Sequence, residues 1–165
     1  MPDLNRAAEQ RNALENLIRQ IPGFRGYYER EDRRDNDALL RQHLASNLQA
    51  AKPKIDDAQR KLLETGKIDA LPVLDRVRQR VDGLIGRIRS ADRGYSGLFD
   101  LVKIHEEELD RIYQADLLIS GQVGALVEQL NQAPASSLAP PALADELIAR
   151  IDDIERALAA RKSTE

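Results

Sequence analysis

Apolar residues return every three to four positions through most of the chain, which is the spacing of one face of an α-helix. No segment shows the sustained alternation of apolar and polar positions that is typical of a β-strand. The pattern therefore predicts an all-α fold. The first helix covers about 3–21 and ends at the helix-breaking pair Pro22-Gly23. Its apolar face consists of Leu4, Ala7, Ala8, Leu14, Leu17, Ile18 and Ile21.

The second predicted helix runs from about 27 to 65, and its apolar positions alternate in steps of four and three, as in a coiled coil. Pro53 lies within this segment, where a proline kinks or ends a helix. The apolar face keeps its phase across Pro53, which falls on the opposite side. This pattern favours one kinked helix with Pro53 facing solvent, and two shorter helices are the alternative. The apolar positions are Leu44, Leu48, Ala51, Ile55, Ala58 and Leu62.

The third predicted helix runs from about 69 to 91, with Asp69 as its N-cap and Pro72 in its first turn. A turn at 94–97 leads into a fourth helix that ends at about 132. The apolar face of the third is formed by Leu74, Val77, Val81, Leu84, Ile85 and Ile88. The seam of the fourth is formed by Leu98, Val102, His105, Leu109, Ile112, Asp116, Ile119, Val123, Leu126 and Leu130.

A Pro/Ala/Ser linker at 133–141 precedes an amphipathic C-terminal helix at about 142–162 and a short tail at 163–165. This fifth helix either packs on its own bundle or pairs with a second subunit. Its apolar face consists of Leu143, Leu147, Ile151, Ile154 and Leu158.

The tripeptide Arg25-Gly26-Tyr27 recurs 68 positions later as Arg93-Gly94-Tyr95, and the apolar positions of the flanking helices repeat at nearly the same offset. An internal duplication explains this agreement, although any two heptad helices can be aligned. Duplication predicts two antiparallel hairpins, 3–65 and 69–132, each with a short and a long arm. The chain is then an elongated antiparallel bundle of about five helices, with 1–132 as its main body.

An antiparallel bundle of this kind brings both Arg-Gly-Tyr turns to one end, together with the charged segment 29–37. Two interpretations follow. The aromatic side chains close the end of the bundle beside a solvated helix start, or they form a recognition surface with nearby arginines. The candidate interaction surface consists of Phe24, Tyr27, Tyr28, Arg33, Arg34, Tyr95 and Phe99.

About 20 residues of this region resemble a motif of small, uncharacterised bacterial helical proteins. The resemblance is carried by a turn and the helix start after it, Ile21-Pro22-Gly23-Phe24-Arg25-Gly26-Tyr27 and Glu31-Asp32-Arg33-Arg34-Asp35. It implies a shared turn and no activity.

Two polar positions lie on predicted apolar seams. The duplication places Asp37 level with His105, which suggests a buried polar pair between them; the alternative is a partly exposed histidine near the bundle end. Asp116 occupies a seam position of the fourth helix. The favoured interpretation is that the seam drifts and Asp116 reaches solvent, and the alternative is a polar contact that fixes helix register.

Candidate chemistry is sparse. The chain has no cysteine, and neither His43 nor His105 has a Glu three positions before it, so the di-iron bundle motif is missing. We expect no metal site, no cofactor and no catalytic site. With a net charge of −3 and no leader or spanning segment, the sequence is typical of a cytoplasmic protein.

The favoured function is a non-enzymatic helical scaffold or adaptor that binds a protein partner or a second copy of itself. The alternative is a small-ligand or anion site at the turn end, formed by Tyr27, Arg33, Arg34, Tyr95 and His105. Nucleic-acid binding along the third helix is less favoured, because aspartates are interspersed among its arginines.

Overall fold

The computed structural model describes residues 2–90 and 99–162. The described part consists of helices joined by turns, with no strand, so the all-α bundle of about five helices is confirmed. The residues 2–90 and 99–162 form five helical rods, of which the second is divided in two. The helices are α1 (Pro2–Gln20), α2 (Arg33–Ala51), α3 (Pro53–Glu64), α4 (Leu71–Ser90), α5 (Glu106–Gln132) and α6 (Pro140–Lys162).

The predicted interruption lies at Pro53, where the structure has two helices, α2 and α3, which is the alternative to the favoured single kinked helix. Lys52 keeps helical dihedral angles, φ −56° and ψ −39°, and its N–H donates to the Leu48 carbonyl at 3.1 Å. Pro53 is exposed, and the apolar face from Leu44 to Leu62 stays buried across the division. The second rod therefore loses hydrogen bonds at the proline without changing the face that it buries.

Two predicted helix starts are wrong. The second helix begins at Arg33 rather than near 27, after a 3-10 turn at Arg30–Asp32. Asp69 is not an N-cap, because it lies within another 3-10 turn, Ile68–Ala70, that leads into α4. Pro72 does occupy the first turn of α4, where its missing N–H costs nothing.

A third predicted start is also wrong, since the fourth helix does not begin directly after the turn at 94–97. α5 starts at Glu106, with the exposed His105 as its N-cap, and the His105 N–H donates to Oε2 of Glu108 at 2.8 Å. Three glutamates in the first turn suit the positive end of the helix dipole, which explains this start. Val102 is 82% exposed instead of lying on the seam, and Leu98 lies outside the described residues.

The chain direction of α1 differs from that in the predicted first hairpin. α1 packs mainly on α5. In the middle of α1 the Gln10 side chain donates to the Glu106 carbonyl at the start of α5 at 3.1 Å, and at the end of α1 Gln20 accepts from the Ser120 hydroxyl, further along α5, at 2.8 Å. The two helices therefore run in the same direction.

The second rod also runs in the direction of α5. Asp37 near the start of α2 and Asp116 in the middle of α5 bind one arginine, and further along both rods Lys61 of α3 donates to the Pro134 carbonyl, just after α5. α1 and α2 are thus parallel, and segment 21–29 returns along the bundle between them. The predicted hairpin 3–65 is not formed, because α1 buries its apolar face mainly on α5.

The remaining rods alternate in direction. Side chains of α2–α3 pair with α4 in antiparallel order, Lys52 with Asp82 and Gln59 with Asp75. α6 lies antiparallel to α5 and packs on α4 and α5 of its own chain. All five predicted apolar residues of the C-terminal helix are buried. The duplication stays a prediction, since Arg93-Gly94-Tyr95 lies outside the described residues.

α1 is the least buried of the rods. Its Ala13 and Leu17 are buried, whereas Leu4 and Ile18, which the sequence placed on the apolar face, are 69% and 46% exposed. The prediction of a single apolar face on this helix is therefore only partly right. Leu17 lies close to the turn that follows, where Ile21 is buried as well.

The turn that follows α1 is held by one buried asparagine. Oδ1 of Asn36 accepts from the backbone N–H groups of Arg25 and Gly26, and its amide donates to the Asp32 carbonyl. Gly26 has φ +101°, a conformation that glycine adopts without strain. A Cβ at Gly26 would lie 2.5 Å from the Tyr113 hydroxyl, so the turn also needs the missing side chain there.

Replacement of Gly26 by alanine is expected to lower the free energy of unfolding by more than about 3 kcal/mol, because backbone strain and a steric clash add together. Gly66→Ala is the matched control. Gly66 has φ +74° but nothing within 4 Å of an added Cβ, so only the strain of about 1–3 kcal/mol applies. Denaturant unfolding of both variants measures the difference, and equal losses would contradict the close packing at Gly26.

Candidate functional site

Arg161, near the end of α6, lies inside the bundle between carboxylates from two other helices. Its Nε donates to Oδ1 of Asp116 at 3.0 Å, and one terminal nitrogen binds Oδ1 of Asp37. The other oxygen of Asp37 accepts from Nε of Arg41 at 2.9 Å. All three of the central side chains are at most 3% exposed. One guanidinium therefore ties α6 to α2 and α5 at once.

Tyr27 completes this group, which we call the ionic cluster: Tyr27, Asp37, Arg41, Asp116 and Arg161. The Tyr27 hydroxyl donates to Oδ2 of Asp116 at 2.6 Å. Asp116 thus receives hydrogen bonds on both oxygens, as a buried carboxylate requires.

The ring of Tyr27 lies at the centre of an aromatic group. Its centroid is 5.5 Å from that of Phe24, 5.5 Å from Phe99 and 5.6 Å from Tyr113, whose ring is nearly parallel to it. The Tyr27 N–H also donates to the Tyr113 hydroxyl at 2.8 Å. The turn after α1 is therefore attached to α5 through both the backbone and the side chain of one residue.

Burial shifts the pKa values of two members of the cluster, Asp116 and Tyr27. It raises the pKa of Asp116 to about 6, against the opposing effects of Arg161 and of the hydrogen bond from Tyr27. Burial also raises the pKa of Tyr27 well above its ordinary value, and the negative charge of Asp116 adds to this. Tyr27 therefore keeps its proton at physiological pH and acts as a hydrogen-bond donor, while Asp116 changes protonation near pH 6.

Arg33 is a second buried arginine at this end, 1% exposed. Its Nε donates to the Tyr27 carbonyl at 3.0 Å, and its Nη1 donates to the Leu101 carbonyl at 2.5 Å. The side chain thus joins the turn after α1 to the segment that precedes α5.

The predicted recognition surface is mostly wrong. Phe24, Tyr27, Arg33 and Phe99 are buried, and only Tyr28 and Arg34 are exposed among the members that the structure describes. Arg34 pairs with Asp100 at 2.6 Å across the surface. Tyr95 lies outside the described residues. The aromatic side chains close the end of the bundle because Tyr113, which the sequence analysis did not include, gives them a buried partner.

The structure also corrects the two predictions for polar residues on the apolar seams, the Asp37–His105 pair and the exposure of Asp116. The Asp37–His105 pair is wrong, since His105 is exposed at the start of α5 and Asp37 is bound to Arg41 and Arg161. Asp116 does not reach solvent, so the favoured interpretation fails and the alternative, a polar contact between helices, is correct. The signal that identifies its partner is Arg161, which continues the apolar face of α6 three positions after Leu158.

The ionic cluster has the arrangement of a structural element rather than of a catalytic site. Both oxygens of each carboxylate accept from groups of the protein itself, and four of the five side chains are buried, with Arg41 partly exposed at the edge. Within 2–90 and 99–162, no three His, Asp or Glu side chains are grouped so that they could hold a metal ion.

Three of the five arginines of α4, Arg78, Arg80 and Arg87, pair with acidic side chains. Arg78 pairs with Asp56 of α3, while Arg80 binds Asp152 and Glu155 of α6. These ion pairs fix α4 against its neighbours. They also cancel much of the positive charge that a nucleic acid would need along this helix.

An open groove of about 480 Å³ lies between the outer face of α5 and the side of α6. The sequence pattern does not predict this groove. No charged residue stands between Asp116 and Glu128, so the groove floor is uncharged. Leu118 is 56% exposed on this floor. The groove, called the α5–α6 groove below, is lined by Gln114, Leu117, Leu118, Gly121, Gln122, Ala125, Arg150 and Asp153.

Comparisons of the chain with protein-family models, with curated proteins and with solved structures gave no match. None of the described helices is long and apolar enough to cross a membrane.

Replacement of Arg161 by methionine keeps the bulk of the side chain and removes its charge. The variant leaves Asp116 buried without a cation, so we expect the free energy of unfolding to fall by about 3–5 kcal/mol. Arg156→Met, on the exposed side of the same helix, is the control and should cost less than about 1 kcal/mol, because it breaks only a surface pair with Asp153. Denaturant unfolding measures both. Similar losses in the two variants would show that Arg161 is not buried in an ion pair.

The raised pKa of Asp116 predicts a dependence of stability on pH. An unfolded aspartate titrates near 3.9, and Asp116 in the folded chain titrates at about 6, so the folded state binds more protons between these values. The contribution of Asp116 to stability is therefore full below about pH 4 and is lost as the pH rises through about 6, by about 3 kcal/mol.

Asp116→Asn removes this titration and isolates it from that of other groups. We expect the difference in free energy of unfolding between the wild type and Asp116→Asn to change across pH 4–7, in favour of the wild type at the acidic end. Urea unfolding at a series of pH values measures it. A difference that stays constant over this range would contradict the raised pKa.

Proposed function

We propose that the chain is a non-enzymatic helical scaffold that works by binding protein, and that the α5–α6 groove is its contact surface. The observation that carries the proposal is the exposed face of α5 between Asp116 and Glu128, a stretch of eleven residues without a charge. In the groove, Leu118 is 56% exposed and is flanked by the small residues Gly121 and Ala125.

The form of this surface supports the proposal. An apolar floor with polar side chains at its edge is the usual composition of a groove that receives a helix. Arg150 and Asp153 of α6 supply one such edge. Arg150 is exposed beside Gln129, whose amide oxygen accepts from its Nε at 2.5 Å. This hydrogen bond to α5 holds the Arg150 side chain in position at the edge of the groove.

The alternative site at the turn end has weaker support. Of its five residues, Tyr27 and Arg33 are buried and bonded to the protein itself, and Tyr95 is outside the described part. His105 is exposed, but its backbone is part of the α5 start rather than of a pocket. The described residues therefore support protein binding at the α5–α6 groove better than an anion site at the turn end.

Leu118→Asp places a charge on the groove floor, and Leu63→Asp on α3 is the matched control. The two leucines have almost the same exposure, 56% and 55%, and both lie on helices. We expect Leu118→Asp to reduce at least about tenfold the amount of protein captured from a lysate of the native host, because the charge would be desolvated in the contact. Leu63→Asp should capture as much as the wild type.

Quantitative mass spectrometry of the captured proteins, including untagged copies of the chain itself, provides the measurement. Circular dichroism confirms that both variants remain folded. If Leu118→Asp and the wild type capture the same proteins in the same amounts, the groove is not the contact surface.

A further inference from the structure

The outer face of α5 carries a regular seam of eight exposed or half-buried positions. Successive members are separated by steps of four and three residues, which is the spacing of a helix contact in a coiled coil. The seam consists of Glu107, Arg111, Gln114, Leu118, Gly121, Ala125, Glu128 and Gln132. It runs along the floor of the α5–α6 groove and continues beyond both of its ends.

The order of residues along this seam is complementary to its own reverse. When two copies of a helix lie antiparallel, residues whose numbers have a constant sum face each other. If Leu118 of one copy faces Gly121 of the other, Gln114 faces Ala125. In the same register, Arg111 faces Glu128 at both ends of the contact. A large leucine side chain faces a glycine at the centre of the contact, and an arginine faces a glutamate at each end.

We propose that a second copy of this chain docks on the outer face of α5, with the two α5 helices antiparallel about a two-fold axis between Leu118 and Gly121. This inference rests on the proposed function and names its partner. A two-fold contact requires a surface that is complementary to itself, and the seam satisfies this requirement in both shape and charge. A parallel arrangement would instead oppose each Arg111 with its own copy.

Gly121 gives independent support. Its backbone does not need glycine, since its φ is not positive, and a Cβ there would meet nothing within 4 Å inside the chain. A glycine within a helix costs about 1 kcal/mol relative to alanine. No contact within the described part of the chain requires a glycine at this position. A leucine side chain from a second copy fits above Gly121, where the surface is open.

A charge-reversal experiment on the purified full chain tests the pairing and its register. Arg111→Glu and Glu128→Arg each place like charges opposite one another at both ends of the contact. Each single variant should weaken self-association about tenfold or more at low ionic strength. The double variant Arg111→Glu/Glu128→Arg restores opposite charges and should associate like the wild type.

Light scattering after gel filtration, over a series of concentrations, gives the mass. We expect the wild type and the double variant to reach twice 18.5 kDa at high concentration, and the single variants and Leu118→Asp to remain at the monomer mass in the same range. Leu63→Asp should dimerise normally. Thermal unfolding of every variant verifies that the monomer remains folded.

Two results would overturn the inference: a wild type that stays monomeric throughout, or a double variant that associates no better than the single ones. Either result leaves the proposed function separately testable. If the capture of other proteins from a lysate still depends on Leu118, the groove binds a different chain, and only the two-fold contact is wrong. If that capture is also independent of Leu118, both proposals fail.

Discussion

The position of the C-terminal helix depends on one buried arginine. Arg161 carries its charge into the interior from near the end of α6 and binds carboxylates of α2 and α5. A buried charge without a partner is costly, so the three helices can pack only in the register that brings these groups together. The apolar residues of α6 supply most of the burial, but they would tolerate a slip along the helix more readily than an ion pair would.

The ionic cluster also links α6 to the turn at the other end of the sequence. Tyr27 donates to Asp116, and its ring contacts three other aromatic side chains. The turn that precedes α2 and the last residues of α6 are therefore parts of one buried arrangement. This accounts for the direction of α1. Segment 21–29 must return along the bundle to bring Tyr27 to Asp116, and so α1 cannot form a hairpin with α2.

The helices themselves could be predicted from the sequence because burial of an apolar face requires a three-to-four residue spacing. Leu44 to Leu62 and Leu143 to Leu158 are buried as this spacing predicts. The chain direction of α1 could not be predicted in this way, since an apolar face does not specify which neighbour covers it. The start of α5 could not be predicted from the spacing either, because Val102 and His105 fit it, whereas the helix begins after His105, whose N–H donates to Glu108.

The site predictions failed where polarity and burial conflict. The charges of Arg33 and Asp116 predict exposure to solvent, yet each is buried with a partner that is distant in sequence, Leu101 and Arg161 respectively. The second seam of α5 could not be predicted, because most of its positions are polar or small and the apolar seam alone accounts for the helix. The buried seam packs α5 against the other helices of the monomer. The second, through Leu118, is the surface to which we assign protein binding.

A double-mutant cycle on Arg161 and Asp116 tests most directly whether one buried ion pair positions α6. The free energy of unfolding would be measured at neutral pH for Arg161→Met, for Asp116→Asn, for both together and for the wild type. The structure predicts that the two losses are strongly non-additive, with a coupling of about 1–3 kcal/mol, because each residue is the buried partner of the other. Additivity within about 0.5 kcal/mol would contradict this account of the fold.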